Sequence, residues 1–208
     1  MGLKVSAETK SSIEPIPEGV HIGRCYSVVD LGTHYSERWK KSKQEVNITF
    51  ELPGELITLE RDGVESEEPR VVGQRFTASL GDKANLRKFI ESWRGKRFTD
   101  EELQGFDLST VIGAPAQVSI VHSTKEDKTY ANIGSIMPLP KGMSCADQFN
   151  PSISYDLEVN GQNFPEGMPE WQQDIVMKSQ EWEALSAGSV ADDPLPGEDD
   201  IDDDTLPF

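Results

Sequence analysis

The chain has 208 residues, which suits one domain with appendages or two very small domains. Its formal net charge is -17, of which residues 147–208 carry -15 and residues 1–146 only -2. The front part is therefore nearly neutral and can present a basic face, while the end of the chain is an acidic segment. No apolar run approaches the ~18 residues of a membrane span. The N-terminus also lacks the apolar core of a signal peptide, so we expect a cytoplasmic protein.

The residues that bind metals are few and scattered. Cys25 and Cys145 have no metal-type spacing, and the three histidines lie far apart. We expect reduced thiols and neither a metal nor a cofactor. A disulfide between the two cysteines stays open.

Three strands are predicted in the first 80 residues, after a polar N-terminal arm at residues 1–17. The first is residues 19–31 and the third is residues 70–80. The second, residues 45–52, alternates strictly, as a half-buried strand does. Its apolar side is formed by Val46, Ile48, Phe50 and Leu52, and its polar side by Glu45, Asn47, Thr49 and Glu51. Residues 32–43 are predicted to be a charged loop, and residues 55–69 a hairpin or mobile insertion with an acidic tip at residues 65–69.

A helix and two further strands follow. Asp82 is positioned to cap a helix whose apolar stripe recurs at helical spacing in Leu86, Phe89, Ile90 and Trp93. Gly95 is placed to end it. Thr99 and Glu102 have the spacing of a capping box that opens a short turn. Strands four and five are predicted at residues 116–122 and 130–137.

The resulting order of three strands, a helix and two strands is that of the OB-fold, a five-stranded Greek-key barrel. We therefore predict a mainly β protein with an OB-fold domain at residues 18–142. This fold binds oligonucleotides over strands two and three, between the loop after strand one and the loop after strand four.

The remaining chain is predicted to be an extension, residues 143–187, and an acidic tail, residues 188–208. Residues 150–159 favour one short strand. Residues 169–185 favour one amphipathic helix that packs back on the barrel, with Trp171, Ile175, Trp182 and Leu185 on one face. The tail is too charged to bury a core, so we expect it to be disordered.

Single-stranded nucleic acids need cations along their phosphates and aromatic faces for their bases. The loop after strand one offers both, in Tyr35, Arg38, Trp39, Lys40, Lys41 and Lys43. A solvated hairpin with Trp39 folded onto the core is the alternative. Arg75 on strand three is a further candidate, because it lies on the face opposite that of its neighbour Phe76, a core residue. Other candidates lie near the end of the helix and at the loop after strand four: Arg94, Lys96, Arg97, Lys125, Lys128 and Tyr130. Lys83 and Lys88 are interpreted as a solvated helix face.

The tip of the tail is a second signal. The last seventeen residues hold eight acidic side chains and no basic one, and they end in Leu206, Pro207 and Phe208. Pro207 stiffens the backbone before a residue that carries both a ring and the terminal carboxylate, and capture of such a carboxylate is a known recognition mode. This tip resembles that of bacterial and phage single-stranded DNA-binding proteins. The resemblance implies docking of replication or recombination enzymes (a polymerase, helicase, primase or nuclease) through Asp202, Asp203, Asp204, Leu206, Pro207 and Phe208.

The body also resembles a family of phage and prophage single-stranded DNA-binding proteins. The resemblance lies in GVHIGRCYSVVDLG at residues 19–32, KANLRKFIESWRGKRFT at 83–99, YANI at 130–133 and PLPKG at 138–142. It implies single-stranded DNA binding during viral replication, recombination and repair, in the host cytoplasm. Self-association is left open.

Enzyme motifs are absent: the sequence has no phosphate-binding loop, nucleophile elbow, zinc-protease helix or paired Cys-x-x-Cys. We therefore expect no catalysis. Two alternatives remain. One is a recombination-accessory or annealing factor with weak DNA binding and strong tail-dependent recruitment. The other is an acidic DNA mimic, which would need its charges fixed on a folded surface.

Overall fold

The computed structural model describes residues 14–37, 40–61 and 63–189, and five of its strands form a curled antiparallel half-barrel. They are β1 (Gly19–Ser36), β2 (Lys41–Arg61), β3 (Val64–Thr77), β4 (Pro115–Lys125) and β5 (Lys128–Met137). Their order across the sheet is β3-β2-β1-β4-β5. The helix α1 (Asn85–Arg94) lies between β3 and β4 in the chain, so the predicted OB-like mainly β fold is confirmed.

Helix α1 packs against the inner face of the half-barrel. Leu86, Phe89, Ile90 and Trp93 are all buried, as their spacing predicts. The ring of Trp93 lies 4.9 Å from that of Phe50 on β2, nearly edge-on. Each such side chain stabilises the fold by about 1.5–3 kcal/mol through burial. The helix ends at Gly95, whose φ of 66° is costly for any residue with a Cβ atom.

The predicted cap of α1 is wrong. The N-cap residue is Ala84, and Asp82 instead forms an ion pair of 2.6 Å with Arg87. The capping box is present: the Thr99 N–H donates to Glu102 and the Glu102 N–H donates to the Thr99 hydroxyl. It opens a 3₁₀ turn at Glu102–Gln104.

Both hairpins of the first three strands are longer than predicted. Residues 32–43 are not a loop, because β1 continues to Ser36 and β2 begins at Lys41. Residues 65–68 are not a tip either; they pair with β2 along β3, and Glu65 lies directly opposite Glu60. In both hairpins, cross-strand pairing continues through segments whose composition favours loops. We call residues 55–69 the β2–β3 arm.

The extension packs on the side of β1 that faces away from the barrel core. It contains β6 (Ile153–Tyr155), α2 (Leu157–Asn160), α3 (Glu170–Val176) and α4 (Gln180–Ser189). The single helix predicted at residues 169–185 is wrong, because the chain turns at residues 177–179. Trp171 and Leu185 are consequently exposed. A second apolar core joins β1 to the extension through Tyr26, Val29, Leu31, Ile153, Tyr155, Leu157, Met168 and Val176.

The position of β6 follows from the edge that β4 leaves open. β4 pairs with β1 only as far as Arg24, and β6 pairs in parallel with β1 from Ser27 to Val29. Farther along β1, the Thr33 N–H donates to Glu181 of α4 at 2.7 Å. The extension thus satisfies backbone groups that would otherwise form an exposed strand edge.

The polar side of β2 is more buried than alternation predicts. Asn47, Thr49 and Glu51 face away from the apolar core, as expected, yet all three are buried. The Glu51 carboxylate accepts hydrogen bonds at 2.8 Å from the Phe149 and Asn150 backbone N–H groups and from the Asn150 side chain. A segment almost a hundred residues later in the chain therefore covers this part of the sheet.

The N-terminal arm is described only from residue 14 onward, where Ile16 is buried in the barrel core. Both cysteines are free, and burial raises the pKa of the Cys25 thiol to about 12. Over the described ranges, no helix is long and apolar enough to cross a membrane.

Candidate nucleic-acid interface

Three of the predicted binding residues line one recess at the open end of β1, β2 and β3. Tyr35, Lys43 and Arg75 border this recess of about 410 Å³, which we call the hairpin recess. Lys43 pairs in register with His34 on β1. Phe76 is buried in the core, so its neighbour Arg75 on β3 faces outward. The remaining lining residues are His34, Ser36, Glu45 and Thr77.

A second recess of about 880 Å³ continues from the first toward the start of α1. We call it the helix recess. The two share Glu45, Arg75 and Thr77, and the helix recess extends to Ser79 and Lys83. Lys83, interpreted from the sequence as part of a solvated helix face, therefore borders the same surface as Arg75. Because they share these residues, the two recesses form one open surface with Arg75 at their junction.

Arg75 forms an ion pair with Glu45 at the junction of the recesses. Glu45 pairs in register with Thr77, and Arg75 with Asn47, so the two side chains are diagonal neighbours on the outer face. The side chain of Arg75 is 42% exposed and that of Glu45 25%. Arg75 is therefore positioned to contact a ligand in either recess.

The turn between β1 and β2 places the other cations of this group beside the hairpin recess. Lys40 has a φ of 49° and pairs with Glu37 at 2.8 Å. Lys41 is exposed at the start of β2. Arg38 and Trp39 lie outside the described residues, so base stacking on Trp39 stays a prediction.

Lys125, Lys128 and Tyr130 are not brought to this surface. Lys125 and Lys128 pair across the turn between β4 and β5. β4 runs antiparallel to β1, so this turn lies at the end of β1 opposite the β1–β2 turn. Tyr130 is about half exposed and borders a different groove of about 600 Å³. Ile57 of the β2–β3 arm and Arg70, which follows the arm on β3, also line this groove.

Arg94, Lys96 and Arg97 form a third location, after α1. Arg94 is largely buried, forms an ion pair with Glu102, and lies over the ring of Phe98 at 4.9 Å. The hydrogen bond from Arg94 is the largest of the effects that lower the pKa of the Glu102 carboxyl. These contacts give Arg94 a structural role, whereas Lys96 and Arg97 are exposed.

The extension limits where a ligand can contact β2. With Asn47, Thr49 and Glu51 buried, the middle of β2 is closed to a ligand, whereas the end that carries Lys43 and Glu45, beside Arg75 on β3, is accessible. Glu45, His34 and Thr77 also line this surface, and they are not predicted from the sequence. Strand alternation puts Glu45 on the polar side of β2, but only the register with β3 shows that it meets Arg75.

The described residues contain no group of three or more His, Cys, Asp or Glu side chains that could hold a metal ion. No protein-family model matches this sequence, and no curated protein is significantly similar to it.

Proposed function

We propose that this chain binds single-stranded DNA without sequence selectivity and protects it during viral replication or recombination. The carrying observation is the convergence of Tyr35, Lys43 and Arg75 on one open surface of an OB-like half-barrel. Cations contact the phosphates there and aromatic rings stack on the bases, which works for any sequence because every base has a π-face. The proposed role involves no catalysis and belongs in the host cytoplasm.

The acidic tail has a separate part in the proposal. Its tip, Leu206, Pro207 and Phe208, recruits replication or recombination enzymes through the ring and the terminal carboxylate. Residues 190–208 lie outside the described residues, so this part rests on their sequence. Between encounters the acidic residues compete with DNA for the protein's own cations, since a tether gives them a high effective concentration.

The matched variants Arg75→Ala and Lys128→Ala test the location of the interface. Both remove one positive charge, but Lys128 lies at the β4–β5 turn, at the end of β1 opposite the recesses. We expect Arg75→Ala to weaken binding of a labelled oligothymidine about three- to tenfold at low salt and to reduce the salt slope by roughly 1. Lys128→Ala should bind like the unmodified chain. Equal behaviour of the two variants would contradict this location.

One observation favours a second candidate, an acidic protein that mimics DNA. Glu60 and Glu65 face each other across the β2–β3 arm, and Glu67 lies two residues farther along β3. Like charges directly opposite one another destabilise a hairpin, so this fixed acidic surface has a cost in stability. A mimic would bind a DNA-binding protein through the arm and would not bind oligonucleotides itself.

A further inference from the structure

We infer that Glu45 is an internal competitor of the DNA phosphates: it holds Arg75 in the unbound protein and thereby weakens and tunes strand binding. This inference rests on the proposed function. The sequence alone does not indicate this role for Glu45, because an acidic residue in a surface ordinarily argues against DNA binding there.

The geometry at the junction supports this role. Glu45 and Arg75 are carried by adjacent paired strands, and Glu45 lies opposite Thr77 in a continuous stretch of the ladder. Their backbones are therefore held in place, and the pair does not depend on a loop. Oε2 of Glu45 forms the ion pair with Arg75, whose side chain is 42% exposed.

A carboxylate and a phosphate present similar oxygen atoms to a guanidinium group, which binds either through paired N–H donors. Glu45 consequently occupies a position on Arg75 that a strand crossing the two recesses would use. Both recesses include Arg75 and Glu45 in their walls, so a strand that occupies both recesses lies beside the pair.

The pair is weak enough to be displaced. Ion pairs with partly exposed side chains contribute little net free energy, because water screens the charges and ordering the side chains costs entropy. A phosphate can therefore replace the carboxylate, but Glu45 then stays nearby as an unpaired negative charge. Each effect lowers DNA affinity without abolishing it, as suits a protein that must release its strand.

The test is a double-mutant cycle in full-length protein, using fluorescence anisotropy of labelled oligothymidine at two salt concentrations. Glu45→Gln should tighten binding about three- to tenfold at low salt and steepen the salt slope by roughly 1, because Arg75 becomes a full phosphate contact. In an Arg75→Ala background, the same change should alter affinity by less than about twofold.

Glu60→Gln is the matched control, since it removes the same charge from the far end of β2. It should leave the affinity close to that of the unmodified chain. Glu45→Ala provides a second variant of the pair if Glu45→Gln folds poorly, as judged by circular dichroism.

Two results would overturn the inference while leaving the proposed function intact. One is DNA binding by the unmodified chain with no greater gain from Glu45→Gln than from Glu60→Gln. The other is an equal gain in the presence and absence of Arg75, which would reduce Glu45 to a general contribution to net charge. Failure of the unmodified chain to bind oligothymidine would instead overturn the proposed function itself.

Discussion

Replacing Glu51 by alanine should release the segment at residues 149–150 from the barrel. Glu51 is completely buried on β2, and its carboxylate is the acceptor for two backbone N–H groups and one side-chain amide at residues 149 and 150. The substitution removes the acceptor and leaves these donors without partners unless the segment moves out into water. It also leaves a cavity beneath the segment.

The expected loss of unfolding free energy is about 2–4 kcal/mol. A hydrogen bond to a charged group contributes about 1.5–3 kcal/mol, and an abandoned buried donor costs about 1–3 kcal/mol. The three donors are half-buried, so the segment can recover part of this loss by turning them toward solvent, which keeps the total below the sum. Glu51→Gln should lose less, because one acceptor oxygen remains.

Urea unfolding followed by tryptophan fluorescence measures this loss, and limited proteolysis around residues 143–152 reports release of the segment. Glu158→Ala is the control, because that side chain is exposed on α2. A loss below about 1 kcal/mol for Glu51→Ala, with unchanged proteolysis, would contradict this prediction. It would mean that the apolar contacts of the extension with β1 suffice to hold the segment in place.

Further predictions concern the Trp39 ring, the acidic tail and Asp30, a partly buried acid. Trp39→Ala should weaken oligothymidine binding by about 1–3 kcal/mol if the ring stacks on a base; unchanged affinity with an intact fold would exclude stacking. Deletion of residues 191–208 should tighten DNA binding, most at low salt where screening is weakest, and abolish recruitment of partner enzymes. Removal of Phe208 alone should abolish recruitment of partner enzymes with little change in DNA affinity. If pull-down assays with this variant still recover the partner, the tail acts only through its negative charge. Burial is the largest cause that raises the pKa of Asp30 above its usual 3.8. The folded state then binds the proton more tightly than the unfolded chain, so Asp30 lowers stability as pH rises through its folded pKa. Asp30→Asn should therefore gain stability over the unmodified chain at neutral pH and lose that gain below about pH 4; urea midpoints that differ equally at both pH values would contradict this.

The local parts of the fold are predictable from the sequence because short-range physics determines them. The stripe from Leu86 to Trp93 is buried because helical periodicity puts these side chains on one face. The capping box at Thr99 and Glu102 forms because its two hydrogen bonds join residues three apart. The order of these elements leads to the OB-like topology.

The parts that the sequence does not predict depend on contacts between distant segments. Glu51 belongs to an alternating strand whose polar side normally faces water, and only the later segment at residues 149–150 explains its burial. Arg94 belongs to a basic cluster whose sequence indicates DNA binding. The structure instead pairs Arg94 with Glu102, a contact that the sequence does not predict. The candidate site is likewise predicted only in part: Tyr35, Lys43 and Arg75 come together, whereas Lys125 and Lys128 lie at the other end of β1.

The salt dependence of binding to single strands and duplexes tests the central proposal most directly. Labelled oligothymidine and a duplex of mixed sequence are titrated with the full-length protein at two salt concentrations. We expect tighter binding to the single strand and, for release of about four counterions, a slope of log affinity against log salt of roughly -3. Equal or tighter binding to the duplex, or no binding to either, would contradict it.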